Sequence, residues 1–455
     1  MIEKIPDYVI KIYNQFIDSG YEIYLVGGCV RDLMLSRETT DWDLTTNATP
    51  EQIQKMFSDS FYDNSFGTVG IPVEIDESTK SVLEVTTFRT EHGFNDRRHP
   101  ESVEWGKSIK DDLSRRDFTV NAIGLKLISE REFEVVDPYG GQKDIESRVI
   151  KAVGNPELRF KEDALRLMRA IRLATQLDFS IDPQTMDEII NDSKLLSDIS
   201  YERVRDELLK ILASKKPYEG IMLLKDTHLL KYILPELLLG IGVSQERPGR
   251  HHKTDVFTHN VDSLKHCPSS DPIVRFAALI HDIGKPEVAS KDIDGYVIFH
   301  NHEIVGARIA SEICDRLRFS KKQKQKVVTL IRWHMFSVEE HTTDSAVRRF
   351  IRRVGVENIK DMIDLRIGDR LGSGSTAESW RLKLFRDRVE TQLAPAPFSI
   401  RDLAVNGNDI MQELKMSPGP KVGKILEKLF EEVDENLDLN KKEFLIRRAR
   451  ELSNQ

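Results

Sequence analysis

Residues 21–46 read YEIYLVGGCVRDLMLSRETTDWDLTT. The first six, 21–26, are a short apolar run with β-branched and aromatic bias, which predicts a buried strand. Gly27-Gly28 ends that run, and residues 30–35 resume with helical spacing. A strand–Gly-Gly–helix turn lets backbone N–H groups approach a phosphate at Gly28, with the helix N-terminus adding favourable dipole. Arg31 in the first helical turn can clamp the same anion. By itself such a turn also fits a purely structural role. Asp41 and Asp43 follow in a strand-like segment, where alternation puts both carboxylates on one face with Cα atoms about 6.5–7 Å apart. Carboxylates so spaced share one Mg²⁺ or bridge two, the arrangement used for in-line phosphoryl transfer. Residues 49–52 (TPEQ) combine a capping Thr, Pro at the first helical position and Gln three on, so a helix starts there. Residues 82–88 (VLEVTTF) predict another strand, on which Glu84 is a candidate third carboxylate. Residues 92–100 form a polar, Gly-containing loop, and Arg115-Arg116-Asp117 precedes the apolar run FTVNAIGL.

The chain around this stretch has 455 residues, enough for roughly three domains. Charged residues make up 31% and hydrophobic residues 39%, an ordinary globular balance. The net charge of −8 excludes an all-over basic coat but not a local basic groove. The three cysteines are far apart, which argues against a disulfide scaffold and a structural zinc ribbon. No apolar run approaches the ~18 residues needed to cross a bilayer. These features lead to the expectation of a cytoplasmic protein with no membrane association.

Residues 159–173 (RFKEDALRLMRAIRL) predict one continuous helix. Glu162, Asp163, Arg166, Arg169 and Arg172 recur at three- and four-residue intervals, and Leu165, Met168 and Ile171 favour another face. Between residues 148 and 172 there are seven basic and three acidic residues, a local excess of four positive charges. Residues 200–212 (SYERVRDELLKIL) predict an amphipathic helix with Ser200 as N-cap and a structural role. Nine of the twelve histidines lie between residues 251 and 341. Histidine concentrates where metals bind, so His259, His281-Asp282, His302, His334 and Asp369 form a candidate ligand set carried on successive helices. His300 is the less suitable neighbour of His302, and His251 and His252 belong to a loop.

The strings LVGGCVRDLML, TTDWDLTT, SRRDFTVNAIGL and DPYGGQKDIESRVIKAVG occur in order. Together they resemble the head and neck of bacterial class II tRNA nucleotidyltransferases, the CCA-adding enzymes and their poly(A) polymerase relatives. The histidine-rich segment resembles the HD phosphohydrolase superfamily. The resemblance implies an α+β protein: a small mixed-sheet nucleotidyltransferase head over residues 1–150, then all-α parts. These parts are a neck over 151–246, an HD domain over 247–372 and a tRNA-binding body and tail over 373–455.

The resemblance further implies that Asp41 and Asp43 are catalytic and hold Mg²⁺. Gly28, Arg31, Arg115, Arg116 and Asp117 would contact phosphates and ribose. Asp163 and Arg166 would read the Watson–Crick edge of CTP or ATP, supported by Arg169 and Arg172. Asp96, Arg97 and Arg98 look like the flexible loop that permits the switch to ATP, which disfavours CC-only addition. The HD set would hold a divalent transition metal of unidentified kind. The expected partners are the tRNA 3′ end, CTP and ATP, with no protein partner evident. Full CCA addition is the leading expectation, with A-only addition and poly(A) synthesis as alternatives. The rival from another class is an HD-type phosphohydrolase whose head only binds nucleotides.

Overall fold

The computed structural model describes residues 4–39, 41–62, 67–74, 80–92, 102–106, 108–129, 132–246, 254–337, 339, 341–376, 379–393 and 399–453. The loop residues Asp96, Arg97 and Arg98, and also His251 and His252, lie outside these. The chain divides into two compact units, Met1–Leu238 with Arg316–Phe319, and Leu239–Asp315 with Ser320–Gln455.

The first unit begins with α1 (Asp7–Asp18), which buries Val9, Ile12, Tyr13 and Phe16 from one face. Tyr13 locks this helix to the sheet: its hydroxyl donates to the Ile23 carbonyl at 2.9 Å and accepts from the Leu127 amide at 2.9 Å. The chain then forms β1 (Ile23–Val26), α2 (Gly28–Met34), β2 (Asp43–Thr46), α3 (Pro50–Met56), β3 (Phe61–Tyr62), β4 (Thr68–Glu74) and β5 (Lys80–Thr87). The predicted capping box of Thr49 and Gln52 starts α3. A hairpin of β6 (Arg89–His92) and β7 (Ser102–Trp105) follows, then α4 (Ile109–Ser114), β8 (Gly124–Leu127), β9 (Phe133–Val136) and α5 (Gly141–Glu146). Seven strands make one mixed sheet in the order β3-β4-β5-β2-β1-β8-β9, with β2 and β5 parallel and the other neighbours antiparallel. Tyr24, Val26, Phe88, Ile109, Leu113 and Ala122 pack together, so α4 closes part of one sheet face.

The expected single helix over residues 159–173 is broken in two. It forms α6 (Pro156–Glu162) and α7 (Leu165–Leu177), and between them Asp163 is extended at φ −143° and ψ 103°. The reason is a local side-chain competition: Asp163 Oδ1 accepts from the Leu165 amide at 3.0 Å, capping α7 from within the apparent repeat. The unit continues with α8 (Pro183–Asn191), α9 (Tyr201–Leu212), α10 (Pro217–Asp226), α11 (Leu230–Ile233) and α12 (Pro235–Leu238). Ser200 occupies the N-cap position of α9 but its side chain makes no capping bond.

The second unit is almost wholly helical: α13 (Val256–His266), α14 (Pro272–Ile280), α15 (Lys285–Val288), α16 (His302–Arg316), α17 (Lys321–Trp333), α18 (Asp344–Val354), α19 (Ile359–Gly372), α20 (Trp380–Leu393), α21 (Gly407–Leu414), α22 (Pro420–Glu435) and α23 (Lys442–Ser453). The last three share a core of Ile410, Val422, Ile425, Leu429, Val433, Leu445 and Ala449. No helix among the described residues is long and apolar enough to cross a membrane.

Candidate active site and metal centre

In the first unit the sheet delivers Asp43 to the point where the Gly27-Gly28 turn leaves β1. Gly27 adopts φ 76°, and a Cβ there would stand 2.9 Å from an Arg116 guanidinium nitrogen and 3.1 Å from Asp43 Oδ2. Glycine is therefore required twice over, by conformation and by the approach of both side chains. Asp41 sits just ahead of the strand and is exposed. Burial pushes the Asp43 carboxyl up, the Arg116 guanidinium opposes this, and the Asp41 and Asp112 charges add to the rise. A carboxylate whose charge is opposed by burial and by its neighbours fits a hard divalent cation, which would relieve that cost. Asp43 pairs in register with Glu84 on β5, so Glu84 shares its face.

Arg115 and Arg116 are held by Asp112, a fully buried carboxylate. Arg115 Nε and Nη2 donate to Asp112 Oδ1 at 3.1 and 2.8 Å, and Arg116 Nη2 to Oδ2 at 3.2 Å. Burial opposes the Asp112 charge, but the two guanidiniums outweigh it and keep the carboxyl below its usual range. Asp117 is also buried. Its Oδ2 accepts from Arg169 Nε at 2.7 Å, and its Oδ1 accepts from the Phe118 amide at 2.8 Å. Against burial, Arg169 and Arg166 hold Asp117 well below the ordinary carboxylate range.

On the neck, Asp163 Oδ2 accepts from Arg203 Nη2 at 2.7 Å. Arg166 Nη1 donates to the Arg159 carbonyl at 3.0 Å and to Glu162 Oε2 at 2.6 Å, while its Nη2 donates to the Arg115 carbonyl at 3.0 Å. Asp163 and Arg166 are thus anchored within the protein, and Arg166 is joined to the Arg115-Arg116-Asp117 segment. Arg172 faces the buried Glu207 at 3.1 Å. Burial lowers the Arg172 pKa, opposed by the Glu207 charge, and the neighbouring Arg169 and Arg31 charges lower it further. Arg31, Arg169 and Arg172 are each paired with a carboxylate, of Asp32, Asp117 and Glu207. Sequence reasoning missed Asp112, Asn121, Arg203 and Glu207. Arg203 and Glu207 stand four apart on α9, a spacing that looks like any solvated helix face until α7 packs against it.

In the second unit α13 supplies His259, the end of α14 supplies His281 and Asp282, α16 supplies His302, α17 ends at His334, and α19 supplies Asp369. A Cβ on Gly284 would lie 2.3 Å from the His302 carbonyl and 2.5 Å from the Gly306 amide, so α16 rides directly on the turn after Asp282. The Asp282 carboxylate is shared: Oδ2 lies 3.2 Å from His259 Nε2 and 3.3 Å from His281 Nε2. Its Oδ1 lies 3.3 Å from His302 Nε2 and 3.6 Å from His334 Nε2. Asp369 Oδ1 completes the first group at 3.3 Å from His259 and 3.7 Å from His281. His300 is exposed and stands outside the cluster.

The Nδ1 atoms of His281, His302 and His334 face backbone carbonyls at 2.9, 2.8 and 2.7 Å. A carbonyl only accepts, so each Nδ1 carries a proton and each ring aims its Nε2 inward. Among the described residues His302 Nε2 and His334 Nε2 are buried with no hydrogen-bond partner. Lone pairs and a carboxylate facing one another at this distance fit a pair of divalent cations between them. Burial lowers His334, which favours the neutral ligand form. His281 differs: burial opposes its charge, but Asp282 and Asp369 raise its pKa to about 10. Lys285, another residue the sequence reading did not single out, is buried with Nζ 2.5 Å from Asp282 Oδ2.

Comparisons with known proteins match three segments of the chain. Residues 23–151 match the poly A polymerase head domain, 178–239 the probable RNA and SrmB-binding site of polymerase A, and 262–371 the HD domain. The chain is 34% identical over 421 residues to the A-adding tRNA nucleotidyltransferase of Deinococcus radiodurans, covering 90% of each. It is 30% identical over 462 residues to the CCA-adding enzyme of Ligilactobacillus salivarius, covering 99% of this chain and 98% of that one. Among solved structures it resembles the Bacillus stearothermophilus CCA-adding enzyme in complex with CTP, with a TM-score of 0.68 and 26% identity over 98% of each chain. A fold-level likeness extends to the Thermotoga maritima CCA-adding enzyme complexed with tRNA, at a TM-score of 0.56 and 18% identity. The chain belongs to the family of A-adding and CCA-adding tRNA nucleotidyltransferases, with an HD domain within it.

Proposed function

We propose that this protein completes the CCA 3′ end of tRNA from CTP and ATP without a nucleic-acid template, releasing pyrophosphate. The observation that carries the reading is the junction of Asp43, Arg116 and the Gly27-Gly28 turn with a neck whose Arg166 bonds the Arg115 carbonyl. Gly28 and Arg31 bind the triphosphate, and Arg115, Arg116 and Asp117 contact phosphates and ribose. Asp41 and Asp43 hold Mg²⁺, which when bound lowers the pKa of the tRNA 3′-hydroxyl and neutralises charge at the α-phosphate. Asp163 accepts from the amino group of cytosine or adenine, and Arg166 donates to the ring nitrogen or carbonyl beside it. Uracil and guanine leave these groups mismatched and unpaired. Reading a base requires Arg166 to exchange bonds it now makes to Glu162 and the Arg159 carbonyl.

The deciding assay incubates tRNA ending before CCA, before CA and before A with CTP, ATP or both, and sequences the products. Complete CCA on all three substrates supports the proposal. Addition of A alone, only to the last substrate, would replace it with the A-adding activity named for the Deinococcus relative, and open-ended A tracts with poly(A) synthesis.

A second activity is favoured by one observation, the sharing of Asp282 between two ligand groups. The HD centre hydrolyses phosphoesters at RNA ends, clearing a blocked 3′ terminus that cannot attack a nucleotide. Opening of a 2′,3′-cyclic RNA end by water, which breaks the 3′ P–O bond and leaves a 2′-phosphomonoester beside a free 3′-hydroxyl, is expected to survive Asp41→Ala and to vanish in Asp282→Ala. Equal ring opening by both variants would rule it out.

A further inference from the structure

We propose that Gln245 donates a hydrogen bond from Nε2 to a non-bridging oxygen of the phosphoryl group that the HD centre takes. The inference rests on the reading that this centre hydrolyses phosphoesters.

Gln245 lies on the segment that leads towards α13. Ser244 and Asp255 form a β-bridge, the Val256 amide donates to the Val243 carbonyl at 3.1 Å, and the Gly242 amide donates to Asp255 Oδ2 at 2.8 Å. Asp255 Oδ1 accepts from the Thr258 amide at 2.8 Å and so caps α13, the helix that carries His259. The backbone beside Gln245 is therefore tied to the same turn that sets the first metal ligand. Gln245 itself is only 6% exposed. Its Oε1 accepts from Lys285 Nζ, and that ammonium also stands 2.5 Å from Asp282 Oδ2. One lysine thus spans the gap between the amide and the carboxylate that the histidines share. Lys285 Nζ faces the Phe299 ring as well, at 5.4 Å from its centroid.

An ammonium only donates, so the amide's orientation is fixed: the carbonyl meets Lys285 and the NH₂ is the end left over. Among the described residues Gln245 Nε2 is buried with no hydrogen-bond partner. A buried amide donor without an acceptor costs free energy, which a purely structural glutamine avoids. Its surroundings favour an anion as the missing acceptor, because the Lys285 charge is adjacent and the centre is built for cations. A phosphoryl group presents several oxygens. Asp282 and its histidines would hold the ions that bind some of them, and the others need donors from the protein. A neutral donor suits this position, since an arginine would add a charge that repels those ions.

Two substitutions separate the NH₂ from the carbonyl of the same side chain. Glutamate keeps an acceptor for Lys285 but turns a carboxylate oxygen towards the phosphate, and methionine, of similar length, offers neither group. The probe is inorganic phosphate, titrated calorimetrically into Mn²⁺-loaded wild type, Gln245→Met, Gln245→Glu and Asp282→Ala after unbound metal is removed. Phosphate binding by wild type and its loss in Asp282→Ala, with opening of cyclic-ended RNA by wild type, check the underlying reading. Gln245→Met is expected to raise the Kd for phosphate about tenfold, the size of one hydrogen bond to a charged group. Gln245→Glu should raise it at least as far, with metal content and unfolding temperature as in wild type. Phosphate affinity within about twofold of wild type in Gln245→Met overturns the proposal and leaves the phosphoesterase reading intact. So does a loss in Gln245→Met that Gln245→Glu restores, which marks a residue that only anchors Lys285. Loss of bound metal from both variants also overturns it, as the mark of a structural role. Absence of phosphate binding and of ring opening in the wild type overturns the proposal and the reading together.

Discussion

Asp163 accepts a hydrogen bond from Arg203 at 2.7 Å, so a residue on α9 sets the direction of the carboxylate at the break between α6 and α7. Arg203→Ala is expected to leave nucleotide addition measurable while lowering the preference for CTP over UTP about tenfold, within the 1–3 kcal/mol that a bidentate base contact supplies. Competition between the two nucleotides at equal concentration measures it directly. An unchanged preference would show that Asp163 is oriented by its bond to the Leu165 amide alone.

Asp43 links function and stability with opposite signs. Its folded pKa is raised, chiefly by burial, so the folded chain holds the proton more tightly than the unfolded one. The associated stability is present at low pH and lost as pH rises through the folded pKa. At neutral pH and without metal the ionised carboxylate therefore destabilises the head. Asp43→Asn should abolish nucleotide addition, by about a thousandfold or more. In chelator it should also unfold at a higher temperature than wild type at pH 7, with the difference fading below pH 4. A lower unfolding temperature at pH 7 would contradict this account.

Glu84 stands in register with Asp43 across a parallel pair of strands. If it assists the two aspartates, Glu84→Gln should slow addition about a hundredfold and raise the Mg²⁺ concentration needed for half-maximal rate. A rate within twofold of wild type assigns Glu84 to the strand surface.

The HD centre carries its own pH signature. His281 has its pKa raised to about 10 by Asp282 and Asp369 against the effect of burial. In the metal-free protein that stabilisation is complete below the unfolded pKa near 6.5 and disappears as pH rises towards 10. Metal-free protein should therefore be easier to unfold at pH 9.5 than at pH 6.5. Added divalent metal should release protons on binding and remove or reverse that trend. Elemental analysis is expected to find two ions per chain, one in His334→Ala and none in Asp282→Ala.

Much of the chemistry was legible in order along the chain. The Gly27-Gly28 turn, Asp41, Asp43, Arg115-Arg116-Asp117 and the dispersed histidines each carry residue types whose spacing reflects local backbone geometry, and local geometry follows from local sequence. The strand–turn–helix at residues 23–34 and the capping box at Thr49 were readable for the same reason. The break at Asp163 was hidden because the three- and four-residue repeat runs through it. An aspartate in such a repeat looks like a helix residue unless its side chain is known to cap the next turn.

What the sequence alone determined is therefore the inventory: which carboxylates, guanidiniums and imidazoles are present, and on what kind of element each rides. Only the tertiary structure decided which of them meet. Asp112 gathers two arginines, Asn121 joins Arg31 to Asp117 across ninety residues, Arg203 orients Asp163, and Asp282 divides its two oxygens between two pairs of histidines. These pairings depend on sheet register and helix packing, which are set by burial summed over the whole core and leave no trace in the spacing of any one segment.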